Sequence, residues 1–406
     1  MKKTLIALAT LAACGASFAQ SSVTISGLMD AGYRSVNAPL GGKTSGGFQN
    51  GSATSAILIQ GTEEISKGLT GSFRYEINPD FLGGSGLSGT VLNSGGMQTS
   101  NGANGYHFVA VTSANLGGIK IGRLNTGSLA AWGTASVFGT ALGSGYGSNG
   151  NLFTGTTSSV ANYNQTAPTR FNGAVEYQTP SMGGLSARIL MVPKVDNTGA
   201  GNVDNATVAT MAGANRASVT DLSLAFNQGP LNLMAAKQTH KYGNNLDAST
   251  PTTVSVAALV APGNSSNVPG GSYALTTLAA NYTMGTATIY AARWTEKQAT
   301  VAATALKVDS TGTMFGAKYV MGAVSLMASM GKRDDKSTVS VGTSAFGADK
   351  KITGLGVDYA LGKRTNLWAR YENRDGDTTR SGVSTLNSKA SWDAIKTTAV
   401  GIRATF

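Results

Sequence analysis

Short and long connections alternate along this chain without a break. The short ones fall at Ser66–Gly68, Asn115–Gly117, Ser181–Gly183, Gln228–Pro230, Met284–Gly285, Met321–Gly322 and Gly362–Arg364. Between them run long polar stretches: Asn37–Thr54, Phe81–Gly105, Gly127–Thr169, Lys194–Asn215, Gly243–Gly271, Ala299–Thr311, Asp334–Asp349 and Asp375–Ser391. Seven short and eight long links separate sixteen segments. Tight turns on one side, long loops on the other and an even number of segments are the layout of an up-and-down bacterial barrel.

The segments themselves carry the two-residue period of a strand with one apolar and one polar face. In the first, Val23, Ile25, Met29, Ala31 and Tyr33 oppose Thr24, Ser26, Asp30, Gly32 and Arg34. Leu69, Phe73 and Tyr75 likewise oppose Thr70, Ser72, Arg74 and Glu76, and Leu355, Val357, Tyr359 and Leu361 oppose Gly356 and Asp358. No apolar run approaches the roughly 20 residues of a spanning helix, because Gly, Ser, Thr or a charge interrupts each one. Any membrane passage must therefore use strands. A sheet in hydrocarbon has to close, since each unpaired backbone group there costs several kcal/mol, so the expected fold is all-β: a 16-stranded antiparallel transmembrane β-barrel. A ring of that width keeps an aqueous interior, which explains how a chain only 41% apolar can fold without an ordinary core. No Pro-rich or low-complexity linker divides the 406 residues, so one domain is expected.

Met1-Lys2-Lys3, the apolar stretch Leu5–Ala13 and Ser17-Phe18-Ala19 form the three parts of a secretory leader. Residues 1–19 are read as a signal peptide and 20–406 as the barrel, which places the protein in the outer membrane of a Gram-negative cell. Leu11-Ala12-Ala13-Cys14 also fits the box at which a bacterial lipoprotein is cut and acylated, a route that would leave only a few residues between the lipid and Val23. Cleavage after Ala19 removes the one cysteine and with it disulfide and thiol chemistry.

Six fragments, in order, carry a family likeness. They are Ser22-Val23-Thr24-Ile25-Ser26-Gly27-Leu28-Met29-Asp30-Ala31-Gly32, Gln60-Gly61-Thr62-Glu63-Glu64, Gly118-Ile119-Lys120-Ile121-Gly122-Arg123, Val175-Glu176-Tyr177-Gln178-Thr179-Pro180, the stretch Tyr359–Ala369, and Val400-Gly401-Ile402-Arg403-Ala404-Thr405-Phe406. Together they resemble the trimeric general diffusion porins of β-proteobacteria. The resemblance implies a homotrimer without a cofactor, passing small hydrophilic solutes and ions. Implied partners are outer-membrane lipid, lipopolysaccharide and the barrel assembly machinery, with Phe406, Ile402 and Val400 similar to the terminal assembly signal.

By the same resemblance the third long connection, 127–169, is the loop that folds inward and narrows the lumen. Loops of that length are usually functional or disordered, and Leu129, Trp132, Val137, Phe138, Leu142, Tyr146, Leu152 and Phe153 offer anchors to the inner wall. No Asp, Glu, Lys or Arg occurs from Leu124 to Thr169, although the family loop commonly presents carboxylates. A one-sided, positive constriction is therefore expected, lined by Arg74, Arg123, Arg170, Arg188 and Arg370. Arg74, Arg188 and Arg370 are inward by alternation. Strict alternation from Ile119 and Ile121 turns Arg123 toward lipid, so the strand is expected to end or bulge there. Asp30, Glu76 and Glu372 are expected to pair with Arg34, Arg74 and Arg370. Ala56 and Glu176 replace basic wall residues of the family, which departs from its pattern.

After removal of Lys2 and Lys3, Lys and Arg outnumber Asp and Glu by 29 to 20, net +9. The basic residues form no tract and no aromatic-interleaved stripe, so no nucleic acid is expected as a partner. Lys332-Arg333-Asp334-Asp335-Lys336 and Asp349-Lys350-Lys351 flank one long link and read as solvated or lipopolysaccharide-facing charge. An enzyme is not expected: His107 and His240 have neither a nucleophile motif nor metal-ligand spacing, and no phosphate-loop pattern occurs. A substrate-specific anion or sugar channel is the nearer alternative, although Trp368 and Tyr290 alone make no track of stations. A surface adhesin is the further one, and an inward third loop would not serve it.

Overall fold

The computed structural model describes residues 22–37, 45–79, 82, 105–139, 141–143, 170–193, 218–241, 272–299, 306–307, 309–336, 338–339, 349–376 and 395–406. In chain order the elements are β1 (Ser22–Asn37), β2 (Ser45–Asn50), β3 (Ala56–Ser66), β4 (Leu69–Ile77), β5 (His107–Ser113), β6 (Gly117–Asn125), the helix α1 (Gly127–Ala135), β7 (Arg170–Gln178), β8 (Leu185–Val192), β9 (Ser218–Gln228) and β10 (Leu231–Lys241). They continue with β11 (Ser272–Met284), β12 (Ala287–Ala299), β13 (Leu306–Lys307), β14 (Asp309–Met321), β15 (Val324–Asp335), β16 (Thr338–Val339), β17 (Lys350–Ala360), β18 (Thr365–Gly376) and β19 (Ile395–Thr405).

Neighbouring strands pair antiparallel, and β1 closes the ring on β19 from Leu28↔Thr405 to Asn37↔Lys396. The other edge of β1 is shared: Ser22–Leu28 pairs with β3 and Ala31–Val36 with β2. The seventeen strands of the sheet thus make sixteen staves of a closed barrel. This revises the first long link, since β2 lies inside the stretch expected to be loop from Asn37 to Thr54. The ring of its Phe48 meets Tyr33 edge-on at 5.5 Å, so both aromatics stay on one face and prolong the stave. β13 and β16 form a two-residue ribbon that joins two further long links.

Outward positions form an apolar belt that includes Ile25, Val109, Leu224, Phe315, Leu355 and Ile402, all exposed on the isolated chain. Two-residue turns close several hairpins at the opposite end from the long links. Gly229, Gly285 and Gly322 open three of them at φ of +57°, +58° and +57°, a conformation that a Cβ disfavours.

The interior departs from expectation in one respect. Ala131, Trp132 and Ala135 of α1 pack with Ala236, Tyr273, Leu275, Trp294, Met314 and Ile352 into a buried apolar cluster. The lumen therefore contains a core on one side, because the inward loop needs an apolar bed.

Candidate functional site

The chain between β6 and residue 143 turns into the barrel and lies along the wall from β9 to β19. Its first turn is capped twice. Thr126 Oγ1 accepts from the Leu129 amide at 3.1 Å, and the buried Asp221 of β9 accepts from the amides of Gly127 (2.7 Å) and Ser128 (3.1 Å) and from Ser128 Oγ (2.8 Å). A carboxylate at a helix N-terminus meets free N–H groups and the positive end of the dipole. A nine-residue helix is marginal alone; Trp132, set edge-on against Trp294 at 5.0 Å, holds it to the wall. Asn281 Nδ2 donates to the Thr134 carbonyl at 2.7 Å.

Beyond α1, Val137, Phe138 and Ala141 pack on Met327 and Tyr290, and Leu142 on Trp368 and Ala399. Gly143 donates to Glu372 at 2.7 Å, and its carbonyl accepts from Ser329 at 2.6 Å. The wall is glycine where the loop presses closest: a Cβ at Gly354 would lie 2.5 Å from the Gly143 oxygen, and one at Gly356 2.5 Å from the Phe138 ring. Leu129, Trp132, Val137, Phe138 and Leu142 thus lie along this inner path, with Leu129 only half-buried. Tyr146, Leu152 and Phe153 fall outside the described residues.

The wall away from the loop carries four ion pairs with partly exposed cations. Arg74 pairs with Glu76 at 2.8 Å, as expected, and lies 5.3 Å from the Tyr106 ring centroid. Glu176 is held by two cations, Lys120 at 2.9 Å and Arg188 at 3.2 Å. Across the closing seam, the buried Asp30 pairs with Arg403 at 2.8 Å and accepts from Trp368 Nε1 at 2.8 Å and the Ala53 amide at 3.0 Å. In all four ion pairs the cation is the more exposed partner: Arg74 26% against Glu76 10%, Lys120 24% and Arg188 14% against Glu176 0%, and Arg403 21% against Asp30 0%. Arg370 reverses the order, 2% against 24% for Asp358, because Phe138 of the loop sits 5.4 Å from its guanidinium.

Two expected pairs are replaced. Asp30 takes Arg403, which is its register partner across the seam, whereas Arg34 stands four residues up the strand, roughly 13 Å away at 3.3 Å per residue. Arg34 lies instead within electrostatic reach of Glu372 and Arg374. Glu372 binds Arg374 at 2.6 Å as well as the loop amide, and Arg370 turns down to Asp358 at 2.7 Å.

Arg123 is also revised in part. The register does shift there, but the extra residue lies on β7, where Asn172 and Gly173 (φ +60°) stand opposite Arg123. Gly122 and the buried Leu124, packed with Phe171, Leu190 and Val219, keep the inward places. Arg123 therefore retains the alternation of Ile121 and donates to Asn172 at 2.7 Å. Arg170 donates to Asn125 at 2.6 Å and acts electrostatically on Glu76.

The basic runs beside the last long links divide by alternation: Lys332, Asp334, Lys336 and Lys351 face outward, while Arg333, Asp335 and Lys350 are buried inside. Arg333 pairs with Asp335 and approaches Glu296 at 3.8 Å. His240 is buried beside Gln238 at 2.7 Å, and His107 stacks on Tyr75. Lys120, Asp221 and Arg403 were not singled out in the sequence as site residues; alternation marks all three as inward, but nothing local names their partners.

The closed sixteen-stave barrel and its inward loop are those of an outer-membrane channel protein. The Gram-negative porin family model matches residues 4–379, and the chain belongs to that family. It is 30% identical over 204 residues to outer membrane porin protein 32 of Delftia acidovorans, a match covering 46% of this chain and 48% of that one. A Bordetella pertussis outer membrane porin is 27% identical over 263 residues, 60% of this chain and 61% of that one. The matches thus span about half to three-fifths of these curated relatives. Among solved structures, the anion-selective porin from Comamonas acidovorans superposes with a TM-score of 0.68 at 20% identity, covering 95% of this chain and all of that one. The trimer form of OmpT from Vibrio cholerae gives 0.61 at 13% identity, covering 95% and 99%.

Proposed function

We propose that this protein is a passive diffusion channel for small hydrophilic solutes and ions across the outer membrane, with a modest preference for anions. The observation that carries the reading is the layering of charge on the loop-free wall, where Arg74, Lys120, Arg188 and Arg403 stand above the carboxylates that bind them. The described part of the loop adds no charge of its own, and a passing ion meets guanidinium and ammonium groups first. Charges of one sign lining a low-dielectric cleft raise the local concentration of counter-ions. Acids from the wall still offset most of this charge, so the preference is modest rather than a one-sided field. The anion-selective structural relative and the Delftia porin support the reading.

Residues 127–169 are assigned as the constriction loop, residues 1–19 as the signal peptide and Phe406 as part of the assembly signal. A homotrimer, supported by the trimeric Vibrio cholerae relative, is the proposed assembly, and light scattering in mild detergent checks it. The inner aromatics Trp132, Trp294 and Trp368 are consumed by packing, so they favour no dedicated solute track. Planar-bilayer recording tests the channel: steady ohmic steps are expected from the folded protein, and their absence from verified folded protein would remove the function.

A further inference from the structure

Strand alternation places three cations in one row on the outer wall. Arg293 of β12, Thr313 of β14, Lys332 of β15 and Lys351 of β17 are successive register partners, and the three cations are exposed. Three interstrand steps separate the ends of this row, roughly 14 Å. Thr313 stands eight residues from Met321 at the short-turn end, roughly 20 Å up a tilted stave and near the top of an apolar band about 25 Å tall. The row therefore lies at the headgroup level of the outer leaflet, where an exposed cation is tolerated and an anionic group is at hand. Its neighbours include acids of their own: Asp375 follows Lys351 in the row, and Asp334, one pleat above, reaches Lys332 at 3.5 Å. Arg293 and Lys351 make no ion pair among the described residues.

A second feature lies beneath the row and to one side of it, across β14, β15, β17, β18 and β19. Ala317 and Ala328 face each other across β14 and β15, and between larger neighbours these two small side chains leave an apolar groove of about 710 Å³. Tyr319, Leu326, Leu355 and Tyr371 form its sides. A second copy of the chain would have to bury three like charges to cover it, whereas an amphiphile with an anionic head and a hydrocarbon tail satisfies both features at once. Guanidinium and ammonium groups spaced in this way suit phosphate oxygens.

We propose that this face docks a phosphorylated, acylated lipid of the outer leaflet, its phosphate groups held along the row of Arg293, Lys332 and Lys351 and one acyl chain lying in the groove at Ala317 and Ala328. The proposal rests on outer-membrane placement and not on ion selectivity. Folded protein in mild detergent is titrated with bisphosphorylated lipid A, its dephosphorylated form and zwitterionic phosphatidylcholine, with retained lipid read by native mass spectrometry. Bisphosphorylated lipid A is expected to bind in preference to both others. The triple variant Arg293→Gln, Lys332→Gln, Lys351→Gln should weaken its binding by roughly 100-fold, about fivefold for each basic side chain. Ala328→Leu, which fills the groove from the lipid side, should weaken it with the cations intact. Unchanged conductance in each variant certifies the fold. Equal retention by the triple variant, or equal binding of phosphatidylcholine, would overturn the site. So would dissociation of the oligomer by the triple variant with lipid binding unaltered, which would name a second copy as the occupant.

Discussion

Glu176 sits fully buried beneath Lys120 and Arg188, and its charge sets how much of theirs a passing ion meets. Glu176→Gln removes that negative charge and leaves both cations in the lumen, so bilayer recordings should show a stronger anion preference. The double variant Arg74→Glu, Arg188→Glu should move the preference toward cations while the barrel stays folded, since both side chains face water; electrophoretic heat-modifiability checks the fold and a salt-gradient potential the selectivity. The inward direction of Arg74, Arg188, Arg370, Arg34, Asp30, Glu76 and Glu372 was legible because side-chain direction has a period of two. Their partners were not. Asp30 finds Arg403 only because the last strand closes on the first in one register, a fact no local window contains.

The helix α1 depends on a residue far away in sequence. Asp221 caps it from β9, and its carboxylate is buried with three hydrogen bonds to Gly127 and Ser128. Asp221→Ala leaves those donors unsatisfied, a loss of about 1–3 kcal/mol. The expected result is a looser loop: noisier and larger single-channel steps, with new protease cuts between residues 127 and 143. The loop's apolar anchors could be read from the sequence, but not its helix, because the chain there is rich in small residues and its cap comes from another strand. At the other end of the chain, Phe406 exchanges backbone hydrogen bonds with Gly27 at 3.0 and 3.1 Å, and a Cβ at Gly27 would strike its ring. Deleting Phe406 should lower the amount of folded protein in the outer membrane without blocking export, as measured by membrane fractionation.

The alternation of links was enough to count sixteen staves, because one barrel end must be tight and the other open. It did not disclose β2 or the ribbon of β13 and β16, which lie in polar stretches with little alternation, nor the apolar bed beneath the loop, which is assembled from five strands. The same topology predicts that protease added to intact cells cuts within the eight long links and spares the seven short ones.

Selectivity joins barrel, loop and wall in a single reading. A lumen wide enough for water screens its charges, with a Debye length of about 10 Å at 0.1 M salt and about 3 Å at 1 M, so the preference should be modest and should fade as salt rises. The zero-current potential of the folded protein in a planar bilayer under a KCl gradient measures this directly. A potential of the sign for chloride over potassium, shrinking with salt and inverted by Arg74→Glu with Arg188→Glu, is the predicted result; a potential of the sign for potassium in the unaltered protein would contradict the account.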